Sequence, residues 1–351
     1  MITIKEIAEQ LGMSTTTISN VIHGKTGEVS GETTERVRKF LEEVEYVPNI
    51  NARNLAQNRS KIIGVVLKAW EYKYDNIFQD PFVSEMIGGI EKQIRENGYF
   101  MMLYISDDIA EILKHVSTWN VDGLILFCML DDDALRVRRK YHKPIVCIDT
   151  YVDHDADGAE EDEFVNIGLD DEQGAYDATR YLIEKGHRKI GILSDNQMGV
   201  DLARFRGYRR ALKESGIEYS DRNFFHLHRE EGDLRAGFEK MAEKARKFTA
   251  VFCCSDLYAV MLMNACFARG IRVPEDLSVV GFDDNLFGKL SRPGLTTIHQ
   301  NAECKGSLAA SILMNMLAGK EPETHRVILR HELVERESVR ALGDLLPAET
   351  R

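Results

Sequence analysis

The sequence predicts a small all-α unit built as a helix-turn-helix, followed by an α/β core of two parallel-sheet lobes. Three observations predict it. Before residue 46 apolar residues recur at helical spacing, with a glycine break between the first two stretches. A proline at position 48 closes that segment. From Lys61 onward, short β-branched runs alternate with amphipathic helical stretches, the pattern of repeated βαβ units.

In the first segment Ile4, Ile7, Ala8 and Leu11 share one helical face, with Thr3 and Glu6 in capping-box spacing. Gly12 supplies the tight turn, and Ser14 is placed to cap a second helix whose apolar side is Ile18, Val21 and Ile22. A third helix, from about Gly31 to Glu45, turns Val37, Phe40, Leu41 and Val44 inward. Tyr46-Val47-Pro48-Asn49 ends the unit, because a proline and the residue before it leave helical geometry. Asn49 to Gln57 reads as one more short helix, too short to hold alone in water. The expected divisions are a helix-turn-helix over 1–48, a hinge helix and linker over 49–60, and a core over 61–351.

In the core the strand-like runs are Ile62–Leu67, Tyr99–Ile105, Val121–Phe127, Pro144–Asp149, Lys189–Leu193, Ala250–Cys254 and Leu277–Phe282. Helical stretches such as Ser84–Asn97, Glu172–Lys185, Ala203–Ser215 and Tyr258–Arg269 lie between them. So many strands imply two sheets with a cleft between, and ligands in such folds sit beyond the carboxyl ends of the strands.

Composition narrows the function. The net charge of −12 over 351 residues argues against indiscriminate nucleic-acid binding by the whole chain. Even the first sixty residues set Lys5, Lys25, Arg36, Arg38, Lys39, Arg53 and Arg59 against a larger number of glutamates. DNA binding must therefore rest on local pattern. No apolar run reaches membrane-span length and no signal-peptide core is seen at the start, so a cytoplasmic place is expected. The six cysteines form no C-x-x-C pair and read as reduced thiols.

Several motifs, in order, resemble the LacI/GalR family of bacterial transcriptional regulators. Thr3-Ile4-Lys5-Glu6-Ile7-Ala8, Gly12-Met13-Ser14, Thr17-Ile18-Ser19-Asn20-Val21 and Tyr46-Val47-Pro48-Asn49 are similar to its DNA-binding module, and Leu55-Ala56 to its hinge helix. Lys185-Gly186-His187-Arg188-Lys189-Ile190, Arg204-Phe205-Arg206-Gly207-Tyr208, Val279-Val280-Gly281-Phe282-Asp283-Asp284 and Leu295-Thr296-Thr297-Ile298 resemble its core. The resemblance implies a core like that of periplasmic sugar-binding proteins, crossed three times by the chain. Its N-lobe would span about 61–166 and 295–325, its C-lobe about 167–294 and 326–341. It also implies a homodimer on a pseudo-palindromic operator.

Thr15, Thr16 and Asn20 project from the second helix opposite its apolar side, where such groups meet base edges; Ser14, Thr17 and Ser19 suit phosphates. The resemblance adds Thr3, Asn49 and Ala52 to the DNA contacts and makes Leu55 a wedge into the minor groove. It also carries Asp149, Arg204, Ser255, Asp256 and Asp283 to an effector cleft, where carboxylate and guanidinium suit sugar hydroxyls. The aromatic-rich segment from Trp70 to Phe82 is placed there too, with Trp70 and Phe82 as candidate stacking rings. The effector is expected to be a sugar or sugar derivative; a protein partner acting on the core is the alternative.

Other classes fit less well. A sugar-transport receptor would share the core but needs a secretion signal and no helix-turn-helix. No Walker loop, G-x-S-x-G elbow or zinc spacing is present, so neither an enzyme nor a bound cofactor or metal is expected. Asp153-His154-Asp155-Ala156-Asp157-Gly158 starts like an EF-hand loop, but Phe164 stands where the bidentate glutamate belongs, and a solvated acidic loop fits better.

Overall fold

The computed structural model describes residues 2–46, 59–68, 76–150, 164–227 and 234–342. They fall in two compact units, Met1–Ser60 and Lys61–Arg351. The short helix expected at 49–57 and the acidic loop at 153–163 lie outside the described residues.

The first unit has α1 (Ile4–Leu11), α2 (Thr15–Ile22) and α3 (Gly31–Glu43). The capping box forms: the Thr3 backbone N–H donates to Glu6 Oε2 at 2.7 Å and the Glu6 N–H donates to Thr3 Oγ1 at 3.3 Å. Donation from the Thr3 N–H and from the Thr3 hydroxyl, at 2.9 Å, holds the exposed Glu6 carboxyl below its usual range. Gly12 ends α1 in the left-handed region, φ 65°, which a glycine enters without strain. Ser14 caps α2 by accepting from the Thr17 N–H at 3.0 Å. Ile7, Ala8, Leu11, Ile18, Val21 and Val37 form the core, while Phe40 and Leu41 are only partly buried against it.

The second unit has two six-stranded sheets. The first contains β1 (Ile62–Lys68), β2 (Phe100–Ser106), β3 (Gly123–Phe127), β4 (Ile145–Ile148), β5 (Val165–Leu169) and β11 (Arg326–Leu329), in the order β11-β5-β4-β3-β1-β2. The second contains β6 (Ile190–Ser194), β7 (Phe224–His226), β8 (Ala250–Cys253), β9 (Ser278–Asp283), β10 (Thr296–His299) and β12 (Glu332–Val334), in the order β12-β10-β9-β8-β6-β7. The two orders are the same, so the lobes repeat one topology that no sequence repeat announces. Pairing is parallel throughout except β10 with β12.

Helices cover both faces of each sheet, which is why the strands read as continuous apolar runs. In the first lobe Ile63, Val65, Leu67, Ile125 and Phe127 pack under α4 (Pro81–Glu96) and α12 (Ala302–Leu317). Val66, Leu124 and Leu126 face α5 (Ile109–Thr118) and α6 (Asp131–Lys140). In the second lobe Ile190, Ile192, Phe252 and Phe282 pack on α7 (Asp171–Glu184) and α8 (Gly199–Glu214). Val251, Cys253 and Val279 pack on α9 (Leu234–Ala245) and α10 (Asp256–Ala268), and the short α11 (Leu286–Leu290) follows β9.

The lobe boundaries differ from expectation by a few residues. The chain crosses after β5, after β10 and between β11 and β12. Leu169, His299 and Leu329 therefore close the segments, rather than 166, 294 and 325. β10 belongs to the C-lobe sheet and β11 to the N-lobe sheet, the reverse of the sequence reading. A short strand does not reveal locally which sheet it joins. Of the six cysteines, Cys128 and Cys304 are exposed and the other four are buried, and none is in a disulfide.

Close helix packing depends on one missing side chain. A Cβ on Gly207 of α8 would stand 2.0 Å from the backbone carbonyl oxygen of Glu172 on α7. Gly207→Ala should cost about 1–3 kcal/mol, since neither backbone yields cheaply. The check is a lower denaturation midpoint with unchanged slope; a wild-type midpoint would mean that α7 moves aside.

Candidate functional site

Between the two lobes of the core lies a cavity of about 210 Å³. Its wall comes from the carboxyl ends of the strands, as the topology requires. The N-lobe supplies Lys68 at the end of β1, Cys128 to Leu130 after β3, Asp149 after β4, and Phe82 on α4. The C-lobe supplies Asp195 and Asn196 after β6, Asp201 and Arg204 on α8, Ser255 after β8 and Asp283 at the end of β9. Gln300 comes from the crossing that follows β10.

Arg204 is the charge at the centre. Its Nε donates to Asp171 Oδ1 at 2.7 Å and its Nη1 to the Cys254 carbonyl at 2.5 Å. Asp283 Oδ1 lies 3.9 Å from Nη1, and the guanidinium stacks 3.7 Å over the Phe282 ring. Burial works against its charge, but the carboxylates of Asp171, then Asp283 and Asp201, outweigh it and raise its affinity for the proton.

On the opposite wall Asp149 faces Lys305, whose Nζ donates to Oδ1 and Oδ2 at 2.8 and 2.9 Å. Burial pushes the Asp149 carboxyl above its usual range while the ammonium opposes the rise. Asn196 gathers two acids: its Nδ2 donates to Asp195 Oδ1 at 2.9 Å and Asp201 Oδ2 at 2.8 Å. Lys68 pairs with Asp133 behind the wall. Leu67, Ile77, Phe82, Val83, Met129, Leu130, Met198 and Val200 are among the apolar residues of the lining.

Of the expected effector residues, the structure brings Phe82, Asp149, Arg204, Ser255 and Asp283 to the cavity wall. Trp70 lies outside the described residues. Asp256 is a correction. It is fully buried and absent from the wall; its Oδ1 accepts from Thr297 Oγ1 at 2.6 Å and its Oδ2 from the Asn285 N–H at 2.9 Å. Its carboxylate tethers the first turn of α10 to the loop after β9, and burial pushes its carboxyl well above the usual range. Ser255 doubles as the cap of α10, accepting from the Tyr258 N–H at 3.3 Å.

Sequence reading missed Asp171, Gln300 and Lys305. Lys305 left one signal: it sits on the face of α12 that buries Ala302, Ala309 and Leu313, where a lysine is out of place unless paired.

On α2, Thr15 and Thr16 are exposed and Asn20 is partly exposed. The Ser14 and Thr17 hydroxyls bond each other at 2.9 Å. Thr3 is exposed at the α1 cap and Ser19 is partly exposed. Asn49, Ala52 and Leu55 lie outside the described residues. Among the described residues no helix is long and apolar enough to cross a membrane.

Comparison with known proteins agrees with both units. Residues 3–49 match the model described as bacterial regulatory proteins, lacI family, and residues 179–339 that of a periplasmic binding protein-like domain. The chain is 33% identical over 348 residues to the HTH-type transcriptional repressor PurR of Vibrio atlanticus (strain LGP32), covering 98% of this chain and 100% of that protein. It is 34% identical to the PurR repressor of Pectobacterium atrosepticum, with 97% of each covered. Among solved structures, a transcriptional regulator CelR-cellobiose complex is similar at 27% identity and a TM-score of 0.70, covering 96% of this chain and all of that one. The lac repressor dimer bound to operator and the anti-inducer ONPF has the same fold, at 23% identity and a TM-score of 0.80 over 97% of this chain and 99% of that one.

Proposed function

The chain belongs to the lacI family of bacterial regulatory proteins, DNA-binding transcriptional repressors without enzymatic activity, and from that premise we propose that a neutral polyhydroxylated molecule, a sugar or sugar derivative, held between the lobes controls its hold on operator DNA. One observation carries the choice. The wall sets Asp149, Asp283, Arg204 and Asn196 beside an apolar side. Fixed charged acceptors and donors match hydroxyl groups, while the apolar side matches the C–H face of a sugar ring.

The CelR structure, named as a cellobiose complex, supports the same reading. The protein would act in the cytoplasm, where its operator lies, as a homodimer on a pseudo-palindromic site, with Leu55 wedged into the minor groove at its centre.

A thermal-shift panel of D-ribose, cellobiose, other neutral sugars, sugar phosphates and purine bases tests the effector class. A compound at a hundred times its Kd should add about 2.7 kcal/mol to the stability of the core. Stabilisation by a neutral sugar is the expected result. Stabilisation by purine bases alone would overturn the sugar reading, and a silent panel with a co-purifying protein would favour the protein-partner alternative.

A further inference from the structure

Lys305 is 1% exposed, on α12, behind the cavity wall. An ammonium has three N–H groups, and here each has an acceptor: Asp149 Oδ1, Asp149 Oδ2, and Gln300 Oε1 at 3.0 Å. With its carbonyl oxygen held by Lys305, the Gln300 amide is left one orientation. Its NH2 turns toward the other lobe and donates to Asp283 Oδ1 at 2.7 Å. The Gln300 backbone N–H brackets the same residue, donating to the Asp283 carbonyl at 3.3 Å.

Both carboxylates at the ends of this chain sit on backbone that L residues rarely adopt. Asp149 has φ 52° and Asp283 has φ 122°. Such conformations persist only where surrounding bonds over-determine them. One ammonium reaches both residues, Asp149 directly and Asp283 through Gln300. Beyond Asp283 the network continues to Arg204 and Asp171. It therefore runs without a break from the N-lobe helix α12 to the C-lobe helix α7.

We propose that Lys305 is a positioning residue of the effector site: without touching the effector, it supplies the counter-charge for Asp149 and, through Gln300, fixes where Asp283 presents its carboxylate. The proposal rests on the reading of the cavity as the effector site. Its close packing leaves the ammonium little freedom. A Cβ on Gly306, the next residue, would come 2.3 Å from the Met86 carbonyl oxygen of α4, so α12 and α4 are in close backbone contact beside it.

The charged groups facing Asp149 are Lys305 and Arg204, which favour its ionised form, and Asp171, which opposes it. Removing the ammonium leaves burial and Asp171 dominant, so the carboxyl holds its proton to higher pH than in wild type. The folded state then binds more protons than the unfolded chain above the ordinary aspartate value, about 3.9. Stability of the variant must fall, relative to wild type, as pH rises from there through the raised folded value.

The test uses the full-length protein with Lys305→Met, Lys305→Arg and the double variant Lys305→Met, Asp149→Asn. Infrared spectra near neutral pH should show the carbonyl band of a buried carboxylic acid in Lys305→Met. It should be a band added relative to wild type, and Lys305→Arg and the double variant should not gain it. The melting temperature of Lys305→Met should drop further below wild type with rising pH, and binding of the panel sugar that stabilises wild type most should weaken about ten-fold or more. If Lys305→Met does not fold, Lys305→Gln, which keeps an N–H donor without charge, takes its place. A wild-type spectrum and pH profile in the uncharged variant would overturn the proposal. A new acid band in a protein whose wild type answers no sugar would instead sink the effector reading, while the ionisation role of Lys305 stands.

Discussion

Replacing Arg204 by methionine is expected to destabilise the core by about 3–5 kcal/mol and to abolish its response to effector. The guanidinium is tied to Asp171, whose side chain is 1% exposed, and to the Cys254 carbonyl. Methionine fills much of the volume and still covers Phe282, but it takes the cation from a carboxylate that water cannot reach. The loss measures that uncompensated charge more than the worth of the ion pair itself.

A double variant, Arg204→Met with Asp171→Asn, should therefore recover part of the stability and none of the effector response. Chemical denaturation gives the first quantity and calorimetry with the panel sugars the second. The helix-turn-helix has a core cluster of its own, so operator binding without effector should persist under conditions where the variant core stays folded. A variant within about 1 kcal/mol of wild type would show that Asp171 is solvated or otherwise neutralised.

The second large effect concerns operator choice. Exchanging Thr15, Thr16 and Asn20 together should change which operator is preferred, because each lost or mismatched base contact costs about 1–3 kcal/mol. Once Ser14 and Thr17 have bonded to each other and to the helix end, and Ser19 is assigned to a phosphate, these three polar side chains of α2 remain for bases. None carries a charge, so the number of phosphates neutralised stays the same. The salt dependence of nonspecific binding should then match wild type, as should the melting temperature and the effector response. Selection from a randomised operator pool reads the preference directly. Identical selected sites from the triple variant and wild type would mean that sequence is read elsewhere.

What the sequence by itself determined lies within single helical turns and strand runs. The capping box of Thr3 and Glu6, the left-handed Gly12 and the Ser14 cap join residues a few positions apart, so the helix-turn-helix was legible almost residue by residue. The strands β1, β3, β4, β6, β8 and β9 were legible for a related reason. Each is buried on both faces and shows as an unbroken apolar run, as in the Gly-Leu-Ile-Leu-Phe of β3. Five strands were not: β7, β11 and β12 stand at sheet edges, are short and are partly exposed, while the interior β5 and β10 are short runs in which Asn166, Gly168, Thr296 and Thr297 interrupt the apolar pattern.

Only the tertiary structure decided the electrostatics of the cleft. Lys305 and Asp149 are separated by 156 positions, Arg204 and Asp171 by 33, and Asp256 and Thr297 by 41. Sequence pattern marks each as a polar residue near an element end; it carries no information on which partner the fold brings within hydrogen-bond reach. The same blindness misplaced Asp256 in the cavity and set the lobe boundaries a few residues early. A carboxylate at a helix start looks alike whether it faces a ligand or a threonine from another strand. Desolvation and pairing distinguish the two, and both are properties of the packed molecule.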